Sequence, residues 1–134
     1  MRIGSVILLM GLAGCADPGN GQAGSANMVA ITIHDAQGEP TDCGLAIRFG
    51  SYAMGIDGVA ARKVEALVAG DPGARSAARH RWGREGEYTL CVETTSDAAA
   101  KALFGRIKPI LPATPRGPIQ LILRDGARHD APLR

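Results

Sequence analysis

Two hydrophobic periods alternate along this chain. Leu45-Ala46-Ile47-Arg48-Phe49 alternates large apolar with small or charged side chains, the period of a half-buried strand, and Gly50-Ser51 ends it. Leu45, Ile47 and Phe49 are placed on the core side. The period then lengthens to 3.6. Asp57 N-caps a predicted helix over 57–69 in which Ala60, Val64, Leu67 and Val68 share one face, Arg62, Lys63 and Glu65 point away, and Gly70 and Pro72 provide the stop. Residues 75–82 and 87–94 flank Gly83-Arg84-Glu85-Gly86, a hairpin whose buried row is Tyr88, Leu90 and Val92, with Thr89, Cys91 and Glu93 opposite. Ser96 or Asp97 caps a second helix reaching 108, where Ala100, Leu103, Phe104 and Ile107 recur at helical spacing before Pro109. Residues 119–123 form a last strand, and 125–134 read as a polar tail.

From Leu45 onward the order is strand, helix, strand, strand, helix, strand. This predicts an α/β (α+β) domain over 28–124 with the ferredoxin-like two-layer βαββαβ plait. The β-branched run 28–34 adds an N-terminal strand at a sheet edge, with turn chemistry over 35–40. The alternative is an Ig-like or transthyretin-like β-sandwich, against which stand the helical periods at 57–69 and 97–108.

Ahead of this domain the pattern has another meaning. Met1-Arg2 precedes ten uncharged residues, 3–12, about half the roughly 20 that cross a bilayer. This is the h-region of a signal peptide covering 1–14. It ends in Leu12-Ala13-Gly14-Cys15, and at these four residues the chain resembles the lipobox of bacterial lipoproteins. The resemblance implies cleavage before Cys15, a diacylglycerol on its sulfur and an acyl chain on its new amino group. Two or three chains make a durable anchor where one holds reversibly. Ala16 follows the lipidated cysteine and Asp17 comes one later, a pattern that the resemblance associates with the outer membrane facing the periplasm. The alternative is an ordinary secretory signal cut nearby, after Ala16, which leaves a soluble periplasmic protein. Residues 16–27, rich in Gly, Ala and Asn, read as a flexible tether with a mean reach of roughly 20 Å.

Composition adds less. One domain fits 134 residues, and 46% hydrophobic with 21% charged residues describes a chain that folds. A net charge of +2 is far from the balance of nucleic-acid binders. With Cys15 lipidated, Cys43 and Cys91 remain as an even pair in an oxidising compartment. Bridged, they close a loop of about 49 residues, worth about 4 kcal/mol in the chain-entropy model. The bridge requires an irregular strand start near Gly44, because Cys43 shares the parity of the buried row and Cys91 does not. Two reduced cysteines are the alternative.

Catalytic chemistry is thin. His34, His80 and His129 are far apart in sequence and form no metal-ligand pair, and no serine lies in a Gly-x-Ser-x-Gly elbow. No cofactor is implied. Two features point to contact instead. Arg48 faces the open side of the sheet, and Arg75, Arg79 and Arg81 join it in a basic platform if His80 and Trp82 take the other parity; the alternative is a solvated face paired internally with Glu93. The loop 50–56 carries Tyr52 and Met54 where polar residues are usual, as a contact site or as a loop tucked into the core. The reading that results is a lipid-anchored, non-catalytic interaction or binding module. Its expected partners are the membrane, through the anchor, and an envelope protein or anionic ligand, not nucleic acid. The rivals are a small-ligand or anion receptor using the basic face, and an accessory hydrolase using His80 with Ser or Cys.

Overall fold

The computed structural model describes residues 29–132; the signal peptide, Cys15 and the tether expected over 16–27 lie outside these residues. The described chain runs β1 (Ile33–Ala36), β2 (Leu45–Phe49), α1 (Gly58–Ala69), β3 (Ala74–Arg81), β4 (Tyr88–Thr94), α2 (Asp97–Ile107), a 3₁₀ turn (Lys108–Ile110), β5 (Ile119–Leu123) and β6 (Arg128–Ala131). Six strands form one mixed sheet in the order β1-β3-β4-β2-β5-β6. Every pair is antiparallel except β1 with β3. The domain is therefore of the mixed α/β class.

Central strand β2 carries the core. Its Leu45, Ile47 and Phe49 are fully buried, and each is flanked by apolar residues from both sides: Val92 and Leu123, Leu90 and Leu121, Tyr88 and Ile119. From the helices come Ala60, Ala61, Val64 and Val68 of α1 and Ala100, Leu103 and Ile107 of α2. Each large side chain taken from water contributes about 1.5–3 kcal/mol. The helices begin where their caps allow. Asp57 Oδ1 accepts from Ala60 N at 3.0 Å and Ser96 Oγ from Ala99 N at 3.0 Å, each satisfying a donor that has no partner within its helix. Asp57 Oδ2 also accepts from Arg116 N at 3.0 Å, so one carboxylate ties α1 to the chain entering β5. The Ala60 amide is the main reason its pKa lies below the usual carboxylate range, with Arg116 N next.

Three sequence expectations are corrected. The first strand lies at Ile33–Ala36, not 28–34, because the parallel register with Ala77–His80 of β3 places it there; Ile31 N is taken by Ala69 O at 3.0 Å. Residues 125–134 are not simply a polar tail. Asp125-Gly126 turns the chain, with Gly126 at φ 90°, Ala127 N donating to Asp125 Oδ1 and Leu123 N to Ala127 O, and β6 pairs back along β5. An Asp-Gly pair behind a strand is the hairpin signal that carried this information.

Glu65 does not point into solvent. It accepts from Arg79 Nε at 2.6 Å, Arg79 Nη2 at 2.9 Å and Tyr88 Oη at 2.9 Å, which joins α1 to β3 and β4. Burial, the largest influence on the Glu65 carboxyl, raises its pKa; the hydrogen bonds from Arg79 and Tyr88 and the charge of Arg79 outweigh it, and the net shift is downward. Burial and the same hydrogen bond push the Tyr88 phenol upward.

A carboxylate depressed in the folded state stabilises above its unfolded pKa and loses that contribution as pH falls through the folded value. Glu65→Gln should therefore cost roughly 1–3 kcal/mol at pH 7, the range for breaking a partly buried charged hydrogen bond. The difference from the parent should shrink as pH falls below about 4.5, the ordinary glutamate value. Urea midpoints measured for both proteins between pH 3 and pH 7 check this.

Candidate functional site

Helices cover one face of the sheet and leave the other without a layer. Alternation assigns the rows. Beneath the helices run Asp35, Arg79, Leu90, Ile47, Leu121 and His129, each beside the next on adjoining strands. On the open face the next row reads Ala36, His80, Thr89, Arg48, Gln120, Asp130, and the one after it His34, Ala78, Cys91, Ala46, Ile122, Arg128.

This register corrects the basic platform. Arg48 is on the open face as expected, but Arg79 and Arg81 occupy the helix-side parity of β3, and the residues that this stretch of chain places on the face of Arg48 are His80 and Trp82. Arg79 is held by Glu65 and lies 3.6 Å from Asp35; Arg81 lies 3.7 Å from the same Asp35. Arg75 falls at a register irregularity between Ala74 and Ser76. The expected pairing with Glu93 is not among the ion pairs of the described residues. The reason is physical. Ser76-Ala77-Ala78-Arg79-His80-Arg81 has no large apolar side chain in either row, so nothing in its pattern marks which row is buried.

Segment 37–44 leaves β1 at one edge and enters β2 in the middle of the sheet, crossing β3 and β4 on the open face. It is fastened at both ends. Gly38 O lies 2.7 Å from His80 Nδ1, and Cys43 is disulfide-bonded to Cys91 with Cα atoms 5.2 Å apart. The parity conflict disappears because Cys43 precedes β2 and is not bound by its alternation. Gly44 makes the junction possible: a Cβ there would sit 2.7 Å from Thr94 Oγ1.

Between this strap and the end of the sheet is a concavity of about 220 Å³ whose lining includes Gly38, Pro40, Arg48, His80, Trp82 and Thr89. Trp82 lies over β4, its Nε1 donating to Thr89 Oγ1 at 3.1 Å, and the Arg48 guanidinium stacks on its ring at 5.1 Å from the centroid. Such a cation–π contact positions the guanidinium while leaving N–H groups available to a ligand. None of the ion pairs among the described residues includes Arg48. A smaller concavity lined by Arg48, Gly50, Trp82, Pro118 and Gln120 lies on the other side of the same stack.

The contact loop stands apart from this site. Ser51 Oγ accepts from Met54 N at 3.1 Å and Gly55 N at 2.9 Å and donates to the Glu85 carboxylate, which folds 51–55 tightly and fastens it to the β3–β4 hairpin. Tyr52 and Met54 are 55% and 71% exposed, so the loop is not tucked into the core; Ile56 alone of its large apolar residues packs there.

For a hydrolase, the concavity supplies His80 but no serine or free cysteine. Its one hydroxyl, on Thr89, already accepts from Trp82, and Cys43 and Cys91 are bonded to each other. Among the described residues no group of three or more His, Cys, Asp or Glu side chains is placed to hold a metal ion, and no helix is long and apolar enough to cross a membrane. Compared with known proteins, the chain matches no family model, no curated protein and no solved structure.

The strap generates a test. Cys43→Ser or Cys91→Ser should lower stability by about 4 kcal/mol. Amide exchange over 39–44 should accelerate far more than exchange in α2, as read by hydrogen–deuterium exchange of variant and parent.

Proposed function

We propose that this is a non-catalytic binding module of the bacterial cell envelope, anchored through lipid on Cys15 at the outer membrane, that meets its partner on the open face of the sheet. The anchor rests on the resemblance of Leu12-Ala13-Gly14-Cys15 to a lipobox. Its fold is the ferredoxin-like plait with a strand added at each edge. Supporting this are the order β3-β4-β2-β5 and the antiparallel direction of each neighbour in it, which a split βαβ repeat produces when each helix crosses over one intervening strand.

One observation carries the contact face: Arg48, outside every ion pair among the described residues, stacked on a Trp82 that stays 42% exposed. A fixed cation beside an aromatic surface, in a concavity on a sheet face that no helix covers, is suited to binding an anionic group.

Mass spectrometry of the protein from fractionated envelopes should find a chain that begins at Cys15 and carries acyl mass, and Cys15→Ser should move the protein out of the membrane fraction. A photocrosslinking residue introduced at position 82 should give adducts in intact envelopes that the same residue at position 62, on the outer side of α1, does not. An unmodified chain still starting at Met1 in the cytosol overturns the anchor. Equal adducts at both positions overturn the contact face.

A further inference from the structure

Building on the reading of the open face as the contact surface, we infer that the concavity between the strap and Trp82 is a site for a small monocarboxylate that also carries a neutral hydrogen-bond donor, a hydroxyl or an amide N–H. The donor and acceptor inventory leads there. Gly38 O is a carbonyl and only accepts, so at 2.7 Å the His80 Nδ1 carries a proton, and in the neutral form of the ring this leaves Nε2 as an acceptor. An anion needs donors, and Nε2 is not one. It calls for an O–H or N–H from the ligand.

Arg48 supplies the other half. It stands in the same cross-strand row as His80 with only Thr89 between, which puts their Cα atoms roughly 10 Å apart at two strand spacings. From that distance the two side chains reach opposite ends of one small molecule. A guanidinium held over an indole, its Cζ 5.1 Å from the ring centroid, keeps N–H groups free for a two-point bond to a carboxylate.

Charge selects a monoanion over a phosphate dianion. Glu39 lines the concavity, and Arg81, which also lines it, lies within ion-pair distance of Asp35, so Arg48 is the one cation there without a carboxylate partner. Size restricts the ligand as well. At about 220 Å³ the space is below the roughly 300 Å³ at which sites for larger ligands begin, and fits one sugar acid or one acylated amino acid. Its apolar body would rest on Trp82 and Pro40.

Trp82 is the only tryptophan of the chain and reports on the site directly. Its fluorescence, titrated on the purified full-length protein, should respond saturably to N-acetylalanine and to glucuronate, which represent the amide and hydroxyl forms of the donor. Propionate, which has no donor, should bind at least about tenfold more weakly, and sulfate, a dianion without a donor, should give no saturable response. Arg48→Lys should weaken both donor-bearing acids by about tenfold or more. His80→Asn keeps an N–H for Gly38 O but removes the Nε2 acceptor; it should abolish the preference over propionate while leaving propionate itself unchanged. Arg62→Ala, on the exposed side of α1, should alter nothing, and unchanged thermal melting of the Arg48 and His80 variants separates loss of ligand from loss of fold.

Sulfate binding as tightly as the acids, an unaltered response in Arg48→Lys, or no saturable response to any carboxylate overturns the assignment. If crosslinking at position 82 persists while no carboxylate binds, the ligand class fails and the contact face stands; if both are lost, both fail.

Discussion

Burial in this domain is one-sided, and β2 is the strand that enforces it. It lies between β4 and β5 with Leu45, Ile47 and Phe49 under the helices and Ala46 and Arg48 on the other side. A slip of one residue would exchange the two rows and carry the Arg48 guanidinium into the core, where an unpaired charge costs several kcal/mol. Register at the centre then propagates outward, through β4 to β3 and β1 and through β5 to β6. Every side chain of the open face owes its position to that constraint.

From Leu45 onward, a segment that carries large apolar residues was legible in the sequence, whereas the apolar run 28–34 was not, its strand starting only at Ile33. The alternation at 45–49, the helical spacing with Asp57 and Ser96 as caps, and the row of Tyr88, Leu90 and Val92 each have one arrangement that buries the apolar set. Legibility failed where burial does not discriminate. In β3 the inward residue Ala77 is no more apolar than the outward Ala78, so the parity of Arg79, Arg81, His80 and Trp82 had to come from pairing with β4. In β6, Arg128-His129-Asp130-Ala131 has no apolar row, and only the Asp125-Gly126 turn marked it. Glu65 was misplaced for a related reason. Period alone puts it at the margin of the buried stripe, and its partners Arg79 and Tyr88 come from strands that helical spacing does not see.

The candidate site was half visible. Arg48 on the open face followed from alternation, and the pairing of Cys43 with Cys91 from counting the cysteines left once Cys15 is set aside. The concavity itself was not visible, because it depends on a segment that reads as an ordinary turn. Gly38 and Pro40 line it only because 37–44 crosses the sheet, and the crossing depends on a carbonyl meeting His80 and a sulfur meeting Cys91. A small domain with few aromatics acquires a walled depression by laying one strand connection over its bare sheet, and needs no additional element to do so.

The Cys43–Cys91 bond has a topological consequence as well. It closes a covalent ring that holds β2, α1, β3 and the first residues of β4, while β1, α2, β5 and β6 hang outside. The exposed tip at 83–86 belongs to the ring. A protease that severs the backbone there opens a circle and releases no piece, and the cut ends remain at the high effective concentration of an intramolecular tether. The fold is built to outlast a break at this exposed bend.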